Sequence, residues 1–215
     1  MLEVAGLGYS HAGQTDMRYE YELEVAAGEI ACLTGKSGSG KSTCLDLIAG
    51  FIAPRAGQIL IDGTDILTMA PEQRPLTILF QKDNLFEHLS AFQNIALGAN
   101  TSLRLTKAED DKVRNAIERV GLLSLSNQRA SQLSGGEQQR IALARCLIRG
   151  RPVLLLDEPF AALDAETRLD MLALVRTLVT EQRLATLMVT HDIAECEKIA
   201  DRHYELVDGR TRRLK

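Results

Sequence analysis

Thr34-Gly35-Lys36-Ser37-Gly38-Ser39-Gly40-Lys41-Ser42-Thr43 is the stretch whose reading decides the fold. It fits the Gly-x-x-x-x-Gly-Lys-Ser/Thr spacing of a phosphate-binding loop. Ile30-Ala31-Cys32-Leu33 precedes it, short and apolar as a buried strand should be. Residues 42–49 follow it, closed by Gly50, and read as a helix with a C-terminal glycine. Glycines let the backbone wrap an anion so that successive N–H groups point at phosphate oxygens, and the helix N-terminus adds partial positive charge. In that arrangement Lys41 reaches the β- and γ-phosphates and the Ser42 hydroxyl ligates Mg²⁺. A chance glycine-rich turn is the competing interpretation, and the strand–loop–helix context weighs against it.

Working outward, Val153-Leu154-Leu155-Leu156 is an aliphatic run followed by Asp157 and Glu158. Such a run predicts a parallel strand buried on both faces, with two acids at the end where doubly wound sheets place their ligands. Taken alone, a strand that merely stops at charged residues explains it better. With a phosphate loop upstream, the chemistry needs these groups: Asp157 to hold Mg²⁺ and Glu158 to polarise an attacking water. Leu187-Met188-Val189-Thr190 is the next buried strand, with His191 at its end. A lone histidine is more often structural than catalytic, but this one stands on the ligand side of the sheet.

Composition fits a single globular chain. Among its 215 residues, 25% are charged and the net charge is −4, so no basic field points to nucleic acid. Aromatics make up 4% with no Trp, which leaves little base-stacking material for single strands. The N-terminus reads as no signal peptide, and no run approaches the ~18–20 apolar residues of a membrane span. A membrane role is therefore expected to come through partner chains. Cys32, Cys44, Cys146 and Cys196 lack zinc-site spacing and read as free core thiols in a reducing cytosol.

In chain order, residues 1–34 read as strands. Tyr19, Tyr21, Leu23 and Val25 alternate with Glu20, Glu22 and Glu24, which predicts an antiparallel strand with one face in water. Tyr9 ends the first strand, before a loose segment at 10–16; a core or edge aromatic and an adenine platform are both open for it. Asp62-Gly63 and Asp208-Gly209 are tight-turn pairs. From about His88 to Gly150 the pattern turns helical, with capping-box spacing at Ser90–Gln93, Thr106–Glu109 and Ser134–Glu137. A helix over 166–182 and another over 193–199 follow, then a strand at 204–207.

Leu133-Ser134-Gly135-Gly136-Glu137-Gln138-Gln139-Arg140 is the second deciding motif. Ser134 and the Gly135 and Gly136 amides open a helix, which makes a second anion site. Together with the phosphate loop, Gln81, Asp157-Glu158 and His191 in that order, it closely resembles the signature of ABC-type ATPases, over essentially the whole chain. The resemblance implies an α/β P-loop NTPase of ABC type. Its mostly parallel core sheet would carry an N-terminal antiparallel β subdomain and an inserted helical subdomain. One ABC ATPase domain would then span 1–215, with 1–87 and 151–215 as nucleotide-binding core and about 88–150 as helical subdomain.

The same resemblance implies ATP and Mg²⁺ as ligands. Tyr9 matches the adenine-stacking aromatic. Gly35, Lys36, Ser37, Gly38, Ser39, Gly40, Lys41, Ser42 and Thr43 match the phosphate loop. Gln81 matches the glutamine that senses Mg²⁺ and the transport subunit; Asp157 takes the metal position beside Ser42, and Glu158 the base position. His191 matches the switch histidine at the γ-phosphate. Ser134, Gly135, Gly136 and Glu137 match the signature, and Asp164 lies in the loop that crosses the dimer interface. Glu137 stands where Gln is commonest and Ala161-Ala162 replaces Ser-Ala; neither removes a group that hydrolysis needs.

Partners implied are a second copy of the chain, joined head to tail around ATP, and transmembrane permease subunits docked on the helical subdomain and the Gln81 loop. A periplasmic substrate-binding protein would act indirectly, on a bacterial inner membrane whose cytoplasmic face holds this chain. The wording of 74–81, 84–89 and 93–98 is most similar to ATPase subunits of bacterial thiamine importers. Iron, molybdate and polyamine importers share much of it, and lipoprotein- or lipid-extracting cassettes often carry the same Ser-Gly-Gly-Glu.

Overall fold

The structure is a computed structural model that describes residues 1–10, 18–81 and 84–215; most of the loose segment at 10–16 lies outside them. Among the described residues, one ten-stranded sheet runs in the order β5-β4-β1-β2-β10-β9-β3-β8-β7-β6. Its strands are β1 (Leu2–Tyr9), β2 (Tyr19–Val25), β3 (Ile30–Thr34), β4 (Ala56–Ile61), β5 (Thr64–Asp65), β6 (Leu76–Leu79), β7 (Val153–Asp157), β8 (Ala185–Val189), β9 (Arg202–Val207) and β10 (Arg210–Arg213). β1 pairs antiparallel with β2 and β4, whereas β3 pairs parallel with both β8 and β9, and β7 parallel with β8.

Side-chain pattern explains this layout. β2 alternates buried and exposed along its whole length, with Glu20, Glu22 and Glu24 outward. β3 and β8 are buried at every position, as strands covered on both faces must be. The two sheet styles meet through the β9–β10 hairpin. Its turn, Asp208-Gly209, holds both residues at positive φ, the hairpin geometry that matches strand twist. β10 then lies parallel beside β2.

The helices are α1 (Lys41–Ala49), α2 (Ala91–Ala99), α3 (Lys107–Arg119), α4 (Gly135–Ile148), α5 (Ala165–Gln182) and α6 (Ile193–Ile199). α2, α3 and α4 each begin with a complete capping box, from Ser90–Gln93, Thr106–Glu109 and Ser134–Glu137. Each box satisfies orphan N–H groups at a helix start and contributes about 1 kcal/mol.

The chain divides into two compact units, one of residues 1–78, 152–158 and 175–215, the other of 79–151 and 159–174. The first has a core that includes Leu33, Leu45, Ile48, Leu155 and Leu187. The second is built on Ile95, Val113, Ile117 and Ile141. In the second, Asn94 is wholly buried. Its amide donates to the carbonyls of Phe86, Leu89 and Ser90 while its Oδ1 accepts from Phe86 N at 2.9 Å, which folds the 86–90 segment onto α2.

Candidate active site

In the first unit, β3 delivers the chain into the glycine loop and α1 leaves it at Lys41. Gly40 sits at φ +109, and a Cβ there would lie 2.5 Å from Cε1 of Tyr19. The Tyr21 hydroxyl donates to Gly40 O at 2.8 Å. β2 thus braces the loop from below, and only glycine fits the position. Lys41 is 6% exposed. Its Nζ donates to Gly35 O at 2.9 Å and Lys36 O at 3.0 Å, so the ammonium is folded into the loop. Lys36, Ser37 and Gly38 are exposed at the rim. Ser39 Oγ is buried without a hydrogen-bond partner, a polar atom that a bound phosphate oxygen would satisfy.

Across from the loop, the Ser42 hydroxyl donates to Asp157 Oδ1 at 3.3 Å. Burial holds the Asp157 carboxyl above its usual range, against the pull of Ser42 and Lys41, and the neighbouring Glu158 adds to the rise. A hydroxyl and a carboxylate that is costly to keep charged are hard oxygen ligands suited to Mg²⁺. Glu158 adopts φ +43, a left-handed conformation that costs a non-glycine residue on the order of 1 kcal/mol. Its N–H donates to Val189 O at 2.9 Å. Its Oε2 lies 3.2 Å from His191 Nδ1.

The first unit therefore brings together Lys41, Ser42, Asp157, Glu158 and His191. Thr43 follows on α1, half-buried. Tyr9 is half-buried and packs against the core of this unit. A cavity of about 470 Å³ opens beside residues 36–39, lined also by Arg18, Tyr19 and residues 205–209. Arg18, whose guanidinium lies 5.4 Å over the Tyr19 ring, escaped sequence reasoning. The one hint was its place just before the alternating strand, beside the glycine loop in space but not in sequence.

The second unit holds the remaining residues. Gln81 is exposed just beyond β6. The preceding Phe80 is fixed by Asn84, whose Oδ1 accepts from Phe80 N at 2.9 Å and whose amide donates to Phe80 O at 2.5 Å. Ser134 and Gly135 are exposed at the start of α4, where Ser134 is the N-cap. Glu137, the departure noted in the sequence, closes the box: its Oε2 accepts from Ser134 N at 2.7 Å and Ser134 Oγ at 2.8 Å. Asp164 caps α5, accepting from Thr167 N at 2.9 Å and Thr167 Oγ1 at 2.7 Å, and those bonds hold its carboxyl below the usual range.

A family model described as ABC transporter matches residues 19–161. The chain is 46% identical over 190 residues to the thiamine import ATP-binding protein ThiQ of Escherichia coli K12, covering 88% of this chain and 82% of that protein. It is 44% identical over 207 residues to ThiQ of Aliivibrio fischeri, covering 96% and 87%. Among solved structures, cbiO1 from Clostridium perfringens, part of the ABC transporter complex cbiONQ, is similar with a TM-score of 0.88 and 28% identity over 98% of this chain and 86% of that one. The ATP-binding cassette MJ0796, a dimer in a post-hydrolysis state with ADP and Pi, gives a TM-score of 0.83 at 28% identity, covering 100% and 99%.

Proposed function

The chain belongs to the ABC transporter family, and from that premise we propose that it is the ATP-hydrolysing subunit that powers a bacterial thiamine importer. The observation that carries the substrate is 44–47% identity over 88–96% of the chain to thiamine import ATP-binding proteins. Wording at 74–81 and 93–98 supports it from the sequence side.

The chemistry follows from side chains already placed. Lys41, released from the Gly35 and Lys36 carbonyls, neutralises charge on the β- and γ-phosphates of ATP. Glu158 takes a proton from the attacking water, whose oxygen bonds to the γ-phosphorus as the bond to the bridging oxygen of ADP breaks. His191, 3.2 Å from Glu158, holds that carboxylate in orientation and stands at the γ-phosphate. When bound, Mg²⁺ would supply positive charge that offsets the charge developing on the transferred phosphoryl group. Ser42 and Asp157 would hold it.

In this reading Ser134, Gly135 and Gly136 of one copy close on the phosphates held by a second copy. Exposure of Ser134 and Gly135 at the start of a 14-residue helix supports it. Closure also excludes water, which strengthens each electrostatic contact to the transition state. No helix among the described residues is long and apolar enough to cross a membrane. Likeness to thiamine import ATP-binding proteins supports a place at the cytoplasmic face of the membrane, held there by permease subunits, with a periplasmic binding protein delivering substrate to them.

The test is transport. The chain is expressed with the permease and binding protein encoded beside it, reconstituted in vesicles, and supplied with ATP. Labelled thiamine is expected to accumulate only with ATP, and Glu158→Gln to stop it. Accumulation of molybdate, iron or a polyamine in place of thiamine would overturn the substrate assignment.

A further inference from the structure

The His191 side chain is 62% exposed, so packing alone does not fix a ring that meets Glu158 at 3.2 Å. Its backbone, by contrast, is tied on both sides. Thr190, 3% exposed, donates its N–H to Leu33 O at 3.3 Å, which secures the residue before His191 to the strand that feeds the phosphate loop. The Thr190 hydroxyl accepts from Asp192 N at 3.0 Å, which secures the residue after it. That hydroxyl in turn donates to Glu195 Oε2 at 2.8 Å, a bond with both ends buried. Glu195 is 5% exposed in the first turn of α6, where helix polarity favours a carboxylate. A hydroxyl that donates and accepts at once cannot rotate, and a buried carboxylate cannot leave its donor without cost.

We infer that Thr190 and Glu195 are positioning residues for His191, acting through the Asp192 amide to hold the ring at Glu158. The inference rests on the assignment of Glu158 and His191 to hydrolysis. It differs from an ordinary helix cap, because Asp192 already caps α6 by accepting from Ala194 N at 2.9 Å.

The test combines kinetics with a readout that needs no turnover. Thr190→Val is expected to lower kcat about tenfold with KM for ATP within about twofold, and Thr190→Ser to recover most of the loss. In a His191→Ala background the Thr190→Val change is expected to add nothing. A loss of equal size in both backgrounds marks a general packing defect and overturns the inference. If the valine variant does not fold, Thr190→Ala serves the same cycle. In nucleotide-free protein, the His191 ring nitrogen resonances are expected to move in Thr190→Val and stay in place in Thr190→Ser. Unmoved resonances in both overturn the inference even where kcat falls. Wild-type turnover in His191→Ala alone would refute the site assignment beneath it.

Discussion

Replacing Arg74 with methionine removes a guanidinium that closes the far end of the phosphate-loop helix. Arg74 is 4% exposed. Its Nη1 donates to Leu47 O at 2.8 Å and Ile48 O at 2.7 Å, two of the last carbonyls of α1. Longer bonds of 3.3 Å run from Nε to Met69 O and from Nη2 to Leu67 O. Gly50, at φ +87, lies so close that a Cβ would sit 2.6 Å from Arg74 Cζ, so the charge fills the space that glycine leaves. Burial makes this guanidinium easier to deprotonate than usual, so the bonds must offset a real desolvation cost. Counting only the two short bonds at ~1.5 kcal/mol each, the low end for a charged donor, gives a loss of about 3 kcal/mol. For a chain of this size that is roughly 6–12 °C in Tm. Arg74→Lys keeps the charge but not the fork, and is expected to lose about half as much. Thermal and urea unfolding of the nucleotide-free protein measure both. A shift under about 2 °C for Arg74→Met would show that the α1 carbonyls find other partners, and the clamp would be refuted.

Other expectations concern the site itself. Glu158→Gln should abolish turnover and let ATP-bound dimers accumulate in size-exclusion chromatography; a mutant that stays monomeric with ATP and Mg²⁺ contradicts the two-copy arrangement. Lys41→Ala should weaken ATP binding more than about tenfold, as expected for loss of a charge-assisted phosphate contact, and unchanged affinity by calorimetry would remove Lys41 from that role. Because burial raises the Asp157 carboxyl, the folded state holds its proton more tightly than the unfolded chain does. Stability from this group is greatest at low pH and falls as pH rises from the ordinary carboxylate range through the folded-state value. Asp157→Asn should therefore unfold at higher urea than wild type at pH 8 while ATP hydrolysis collapses, and a less stable mutant would reverse that sign.

What could be read from the sequence was what local chemistry decides. The three capping boxes depend on residues three apart, and all three formed as spaced. The alternation of β2 and the aliphatic runs of β7 and β8 each name their own environment. Asp157, Glu158 and His191 were legible because strand ends place them. Glu137, a variant within the signature, was legible too, as the carboxylate three residues after Ser134 that completes its cap. Arg74 was not: its partners at 47–48 and 67–69 lie on separate stretches of chain, and no local pattern joins them. Insertion of β9 and β10 between β2 and β3 was hidden as well, since no periodicity records which strands become neighbours.

That insertion bears on how the protein is made. The strand that leads into the glycine loop ends at Thr34, yet its neighbours on both sides, β8 and β9, come from residues 185–189 and 202–207. During synthesis the loop emerges early, attached to an apolar strand with no lateral partner, and stays so until the ribosome has passed those residues. Such long-range closure is slow and leaves a sticky edge exposed meanwhile. Nucleotide capture thus belongs to the last stage of folding, and nascent chains halted before residue 185 should be unable to hold ATP.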